Sequence, residues 1–126
     1  MGEREMARIL VIDDEEEIRT ILRQTLEGAG YEVTAVPDGN EGLKQYSLNP
    51  ADVVITDLVM PEKEGIETIM DLKRSFPGVK IIAISGGGHV GPEEYLRLAI
   101  GLGAQKALSK PFGLGDLLKA VRELGR

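Results

Sequence analysis

Apolar residues along the chain fall into two alternating patterns. Five short runs rich in β-branched residues predict strands: Ile9–Ile12, Tyr31–Val36, Val53–Thr56, Lys80–Ile84 and a weaker Ala104–Leu108. The first, third and fourth lack strict polar alternation, as central parallel strands covered on both faces would. Helical periods lie between them. Ile18, Ile21, Leu22, Leu26 and Ala29 follow i, i+3, i+4 spacing, and Gly28 with Gly30 marks the stop. Asp38 can cap a second helix with a thinner stripe (Leu43, Tyr46, Ser47) that ends at Asn49-Pro50. Ile66, Ile69, Met70 and Phe76 make a third, closed by Pro77-Gly78. Pro92 suits the first turn of a fourth, and Leu114, Leu117, Leu118, Val121 and Leu124 give the clearest stripe. A strand–helix unit repeated five times predicts a doubly wound α/β domain with a parallel sheet and right-handed crossovers over both faces.

Length and composition fit that picture. With 126 residues and 42% hydrophobic content the chain suits one domain. Residues 1–7 read as a flexible N-terminal tail and 8–126 as the domain, whose last helix leaves no segment for a linker or an output domain. The formal charge of -6 disfavours direct attraction to nucleic acid or to an anionic membrane. No cysteine and a single histidine leave little for a soft metal, so any metal should be a hard cation held by oxygen. No stretch has the length of a signal peptide or a membrane span, and the expected location is cytoplasmic.

In open parallel sheets, ligands bind beyond the carboxyl ends of the strands. The residues there are Asp13, Asp14 and Glu15 after the first run, Asp57 after the third, Ser85 and Gly86 after the fourth, and Ser109, Lys110 and Pro111 after the fifth. Three carboxylates brought together repel by roughly 4 kcal/mol per pair at about 4 Å and an effective dielectric near 20, unless a cation lies between them. Magnesium, or manganese, is the economical cation, since it keeps waters and leaves positions for phosphate oxygens. Lys110 and Ser85 would add a positive charge and a donor for a transferring phosphoryl group. Asp57, the lone acid at the end of a central strand, is the natural nucleophile, and Asp13 with Asp14 suits the metal.

The segments VIDDEEE, ITDLVMPEKEG, AISGG and LSKPF, in that order over almost the whole chain, resemble the receiver domain of two-component response regulators. The resemblance implies a flavodoxin-like three-layer sandwich with strand order 2-1-3-4-5. It implies a chain that catalyses its own phosphorylation and slow dephosphorylation: Asp57 accepts a phosphoryl group from a sensor histidine kinase or phosphotransfer protein. It also places Asp13, Asp14, Asp57 and the Val59 carbonyl around magnesium, sets Ser85 and Lys110 on the phosphoryl oxygens, and gives a cis Lys110-Pro111 bond. Signalling would follow by binding a downstream protein.

The match departs from the family in two places. Receivers usually carry Tyr or Phe three residues before the lysine, where this chain has Ala107, so switching should rely on Ser85, its loop and the fourth helix. The segment from Ser85 to Lys110 is longer than usual and opens with three glycines, which predicts a mobile loop. Gly87 and Val59 flank the site without shielding it or orienting a water, and pull the phosphoryl lifetime in opposite directions. The fourth helix carries two stripes, Leu96, Ala99, Ile100 and Gly103 against Tyr95, Leu98 and Leu102; only one can face the sheet. In receivers the fourth helix, fifth strand and fifth helix often form a dimer or output contact, so Tyr95, Leu98 and Leu102 are the expected partner face.

Simpler roles suit several other residues. Glu16 and Glu17 read as helix-start acids, His89 as a solvated loop residue, Met60 and Pro61 as loop-shaping, Phe112 as packing, and Lys63 and Lys106 as surface charge. A small magnesium-dependent phosphohydrolase would need an acid/base and a substrate cap for which no segment is spare. A flavin carrier would need a glycine-rich first turn where DDEEE stands. The remaining alternative is a fragment of a longer regulator whose output domain lies outside this sequence.

Overall fold

The computed structural model describes residues 7–58, 65–85, 92–110 and 112–125, with the backbone alone at 92, 93, 95 and 96. Five strands alternate with five helices: β1 (Arg8–Ile12), α1 (Glu16–Gly28), β2 (Glu32–Val36), α2 (Gly39–Leu48), β3 (Val53–Asp57), α3 (Gly65–Ser75), β4 (Ile81–Ser85), α4 (Pro92–Leu102), β5 (Lys106–Ser109) and α5 (Leu114–Leu124). All strand pairs are parallel, in the order β2-β1-β3-β4-β5. The expected doubly wound (βα)5 sandwich is therefore observed.

Successive strand residues point to opposite faces, and each face has its own core. Leu10, Ile12, Val54, Ile81 and Ala83 pack with Tyr46, Ile69, Leu72 and Ala99 from α2, α3 and α4. Ile9, Val11, Val53, Ile55, Ile82 and Ile84 pack with Leu22, Leu26, Leu117, Ala120 and Val121 from α1 and α5. Double coverage explains why these runs show no polar alternation. Asp38 caps α2 as expected, its carboxylate accepting from the Glu41 N–H at 2.9 Å. Gly30, with φ of 97°, turns the chain after α1 into β2.

The helix stripes are narrower than the periodicity suggests. Ile21, Met70 and Leu114 are exposed, as is Ser47, whereas Leu72 and Thr68 are wholly buried on α3. On α4 the division between stripes also differs from expectation. Ala99 is buried and Leu102 is half-buried against the same core, so the inward seam runs i, i+3 through these two. Ile100, expected inside with Ala99, is 46% exposed and lies outside with Leu98 at 48%. Leu102 therefore belongs mainly to the core, while Ile100 joins Leu98 on the surface.

Candidate functional site

The strands themselves carry the site residues to the sheet edge. Asp57 and Ser85 are the last residues of β3 and β4, paired in register with Ile84 and Ser109. The ladder thus extends one residue beyond the apolar runs and fixes both side chains. Backbone bonds continue it past the strand ends: the Asp13 N–H donates to the Val36 carbonyl (3.1 Å), the Leu58 N–H to Ile84 (2.9 Å) and the Lys110 N–H to Ser85 (2.7 Å). Because β1 turns outward to β2 on one side and neighbours β3 on the other, Asp13 and Asp57 face the switch point of the strand order, where such folds bind ligands.

Asp13, Asp57 and Ser85 are buried, and Asp14 is exposed. One carboxylate oxygen from each of Asp13, Asp14 and Asp57 lies within 4.8 Å of the others. Lys110 Nζ donates to Asp57 Oδ2 at 3.1 Å and stands 3.6 Å from Asp13 Oδ2 and 3.5 Å from Glu15 Oε1. Burial, opposed by the Glu15 N–H and reinforced by the Asp57 charge, pushes the Asp13 carboxyl up from 3.8 to about 6. For Lys110, burial works against the charged form, yet Asp57 and Asp13 outweigh it and raise the ammonium above its ordinary value.

Two buried polar atoms at this edge lack a hydrogen-bond partner, Asp13 Oδ2 and Ser85 Oγ. Three converging carboxylates, one with an unsatisfied buried oxygen, form an all-oxygen donor set that suits a small hard cation such as magnesium or manganese.

Three residues outside the expected set support the site. Gly65 opens α3 where its N–H donates to the Leu58 carbonyl at 3.0 Å. A β-carbon there would run into the Asp57 carbonyl oxygen and lie 2.5 Å from Leu58 Cα, so only glycine permits this approach. Its place in the PEKEG stretch was visible, but the contact is tertiary. The Arg19 guanidinium donates to the Asp13 carbonyl at 2.8 Å from one turn into α1, and Glu15 pairs with Lys110. Val59 and Pro111, like Met60, Pro61, Lys63, Gly87 and His89, lie outside the described residues, as does the Tyr95 side chain.

Ala107 is half-buried on β5 opposite Ala83. Together with Ile100, Leu108, Lys119 and Ala120 it lines a shallow groove of about 510 Å³ between α4 and α5. Phe112 packs onto the α1/α5 core, as expected. Lys106 does more than decorate the surface, since it pairs with Glu123 at 2.6 Å and holds that carboxyl below its usual range.

Comparison with known proteins gives the same answer over the same residues. The family model "response regulator receiver domain" matches residues 9–122. The KDP operon transcriptional regulatory protein KdpE of Escherichia coli is 37% identical over 117 residues, which are 93% of this chain and 50% of that protein. The chain thus spans about half the length of that relative. The response regulator receiver protein CpdR of Brucella abortus is 34% identical over 122 residues, covering 94% of this chain and 97% of CpdR. A receiver domain protein from Clostridium thermocellum superposes with a TM-score of 0.87 at 34% identity, over 95% of this chain and 94% of the other. With its fold, its acidic rim and these relatives in agreement, the chain belongs to the response regulator receiver family.

Proposed function

We propose that the chain is a phosphorylation switch that accepts a phosphoryl group on Asp57 from a phosphohistidine of a sensor kinase or phosphotransfer protein. The observation that carries this reading is the Lys110 ammonium held 3.1 Å from Asp57 Oδ2, beside two further carboxylates at the end of a central strand. An Asp57 oxygen attacks phosphorus, the P–N bond to the donor breaks, and the imidazole leaves with the bonding pair. Asp13, Asp14 and Asp57 would hold magnesium or manganese, with the Val59 carbonyl, and that cation would neutralise charge on the transferring group. Lys110 supplies a fixed cation to the equatorial oxygens. The Ser85 hydroxyl, buried and without a partner in this structure, is a donor ready for another of them.

Signal output then runs through protein binding. Exposed Leu98 and Ile100 and the groove beside Ala107 favour the α4–β5–α5 surface as the contact for a downstream protein or a second copy, with Leu102 behind it and Tyr95 on the same helix. With no ring at Ala107 to swing, the coupling passes from Ser85 through the following loop to α4. Among the described residues no helix is long and apolar enough to cross a membrane. The test is intact mass after incubation with magnesium and a small acyl phosphate. One phosphoryl group gained by the parent, and none by Asp57→Ala, is expected. Modification independent of Asp57, or none at all, would overturn the proposal.

A further inference from the structure

Glu15 occupies an unusual place for a long acidic side chain. It is the N-cap of α1, with φ of -90° and ψ of 118°, yet its carboxylate makes no capping hydrogen bond. Its backbone is tied at both ends: the N–H donates to Asp13 Oδ1 at 2.9 Å, and the carbonyl accepts the Arg19 N–H at 3.1 Å. From that fixed base the carboxylate turns to Lys110 Nζ, 3.5 Å away. Lys110 is 19% exposed and Glu15 61%, so the ammonium shared with buried Asp57 and Asp13 has a third partner that is exposed to solvent.

One cation therefore has three carboxylate partners, two buried and one exposed. The exposed one is not among the three carboxylates that converge as metal ligands. Its exposed negative charge, 3.5 Å from the Lys110 ammonium, also repels an anionic donor approaching Asp57.

We propose that Glu15 is a positioning residue that draws the Lys110 ammonium toward solvent, in competition with Asp57 and an incoming phosphoryl group, and thereby slows phosphorylation. The inference rests on the reading of Asp57 as the phospho-acceptor. Lys110 must shift from Glu15 to the phosphoryl oxygens during transfer, and losing the exposed pair makes that shift easier. An ion pair at this exposure corresponds to a change of about two- to five-fold.

Two variants separate this role from a structural or purely electrostatic one. Glu15→Gln removes the charge. Glu15→Asp keeps the charge at the helix start and favours capping, but is one methylene too short to maintain the pair. Phosphorylation by a small acyl phosphate with magnesium is followed by intact mass at low and high salt, with circular dichroism melts as the control for folding. Both variants are expected to react about two- to five-fold faster than the parent at low salt. The difference should shrink at high salt. Parent-like rates in both variants, or acceleration by Gln alone, would overturn the Glu15 role while leaving Asp57 as acceptor intact. No modification of the parent would instead remove the reading beneath it.

Discussion

Replacing Asp13 by Asn removes a charge that the fold keeps 1% exposed. The amide retains an oxygen for the Glu15 N–H that Asp13 Oδ1 now accepts at 2.9 Å. Burial first, and the neighbouring Asp57 charge after it, raise this carboxyl from 3.8 to about 6 despite the Glu15 N–H and Lys110. Because the folded value lies above the unfolded one, the contribution to stability is fully present below about pH 3.8 and is lost as pH rises through about 6. At about 1.4 kcal/mol per pH unit, ionised Asp13 costs the metal-free fold about 3 kcal/mol near neutrality. With chelator present, Asp13→Asn is therefore expected to stabilise the protein by about 1–3 kcal/mol near pH 7, and this gain should fall by about 1 kcal/mol toward pH 5. With magnesium the order should reverse, since the parent gains binding free energy that the variant largely loses. That metal-dependent gain in the parent should grow as pH passes 6, because the ligand must be ionised. Urea unfolding followed by circular dichroism, at several pH values with chelator or magnesium, measures all of these. A variant less stable than the parent without metal at every pH, or a gain that does not change with pH, would refute the argument.

Other sites give sharper single outcomes. Gly65→Ala forces a β-carbon against the Asp57 and Leu58 backbone and should cost about 2–3 kcal/mol in a thermal melt, with slower phosphorylation of a displaced Asp57. Ser85→Ala deletes a wholly buried hydroxyl that has no partner, so the unphosphorylated protein should gain about 1 kcal/mol while its aspartyl phosphate forms more slowly. Ile55→Ala, at the centre of β3 and fully buried, should lose about 3–4 kcal/mol in urea unfolding. Leu98→Gln, on the exposed side of α4, should leave stability within about 0.5 kcal/mol and act instead on binding of a downstream partner, measured by titration calorimetry with the phosphorylated protein.

Much of the site was legible because strand ends are easy to find when strands are short apolar runs. Once Ile9–Ile12, Val53–Thr56 and Lys80–Ile84 are read as parallel strands, the next polar residues must share one edge of the sheet, and Asp13, Asp57 and Ser85 do. Lys110 follows by the same rule after β5. Glu15, Arg19 and Gly65 were less legible because their roles come from the turn that each helix makes against a strand end. Nothing in the residue type separates Glu15 from Glu16 until the Lys110 ammonium is seen 3.5 Å away. The division of α4 was hidden for a similar reason: from Tyr95 to Leu102 every position but Arg97 is apolar, so periodicity offers two faces, and only packing against the core that holds Ile81 and Ala83 selects Ala99 and Leu102.

Local sequence thus determined which segments are strands and helices, because alternation, period and caps act over a few residues. It also determined the chemical character of the site, because cysteine is absent and the polar residues following the strands are acids, a serine and a lysine. Tertiary structure decided how those groups meet. The 3.1 Å contact of Lys110 with Asp57 joins residues that are 53 apart in the chain. The absence of a hydrogen bond to Asp13 Oδ2 and Ser85 Oγ, and the glycine required at 65, likewise depend on the twist and packing of the assembled sheet. Burial and charge pairing are properties of that assembly, since both depend on neighbours that the chain brings together only when it folds.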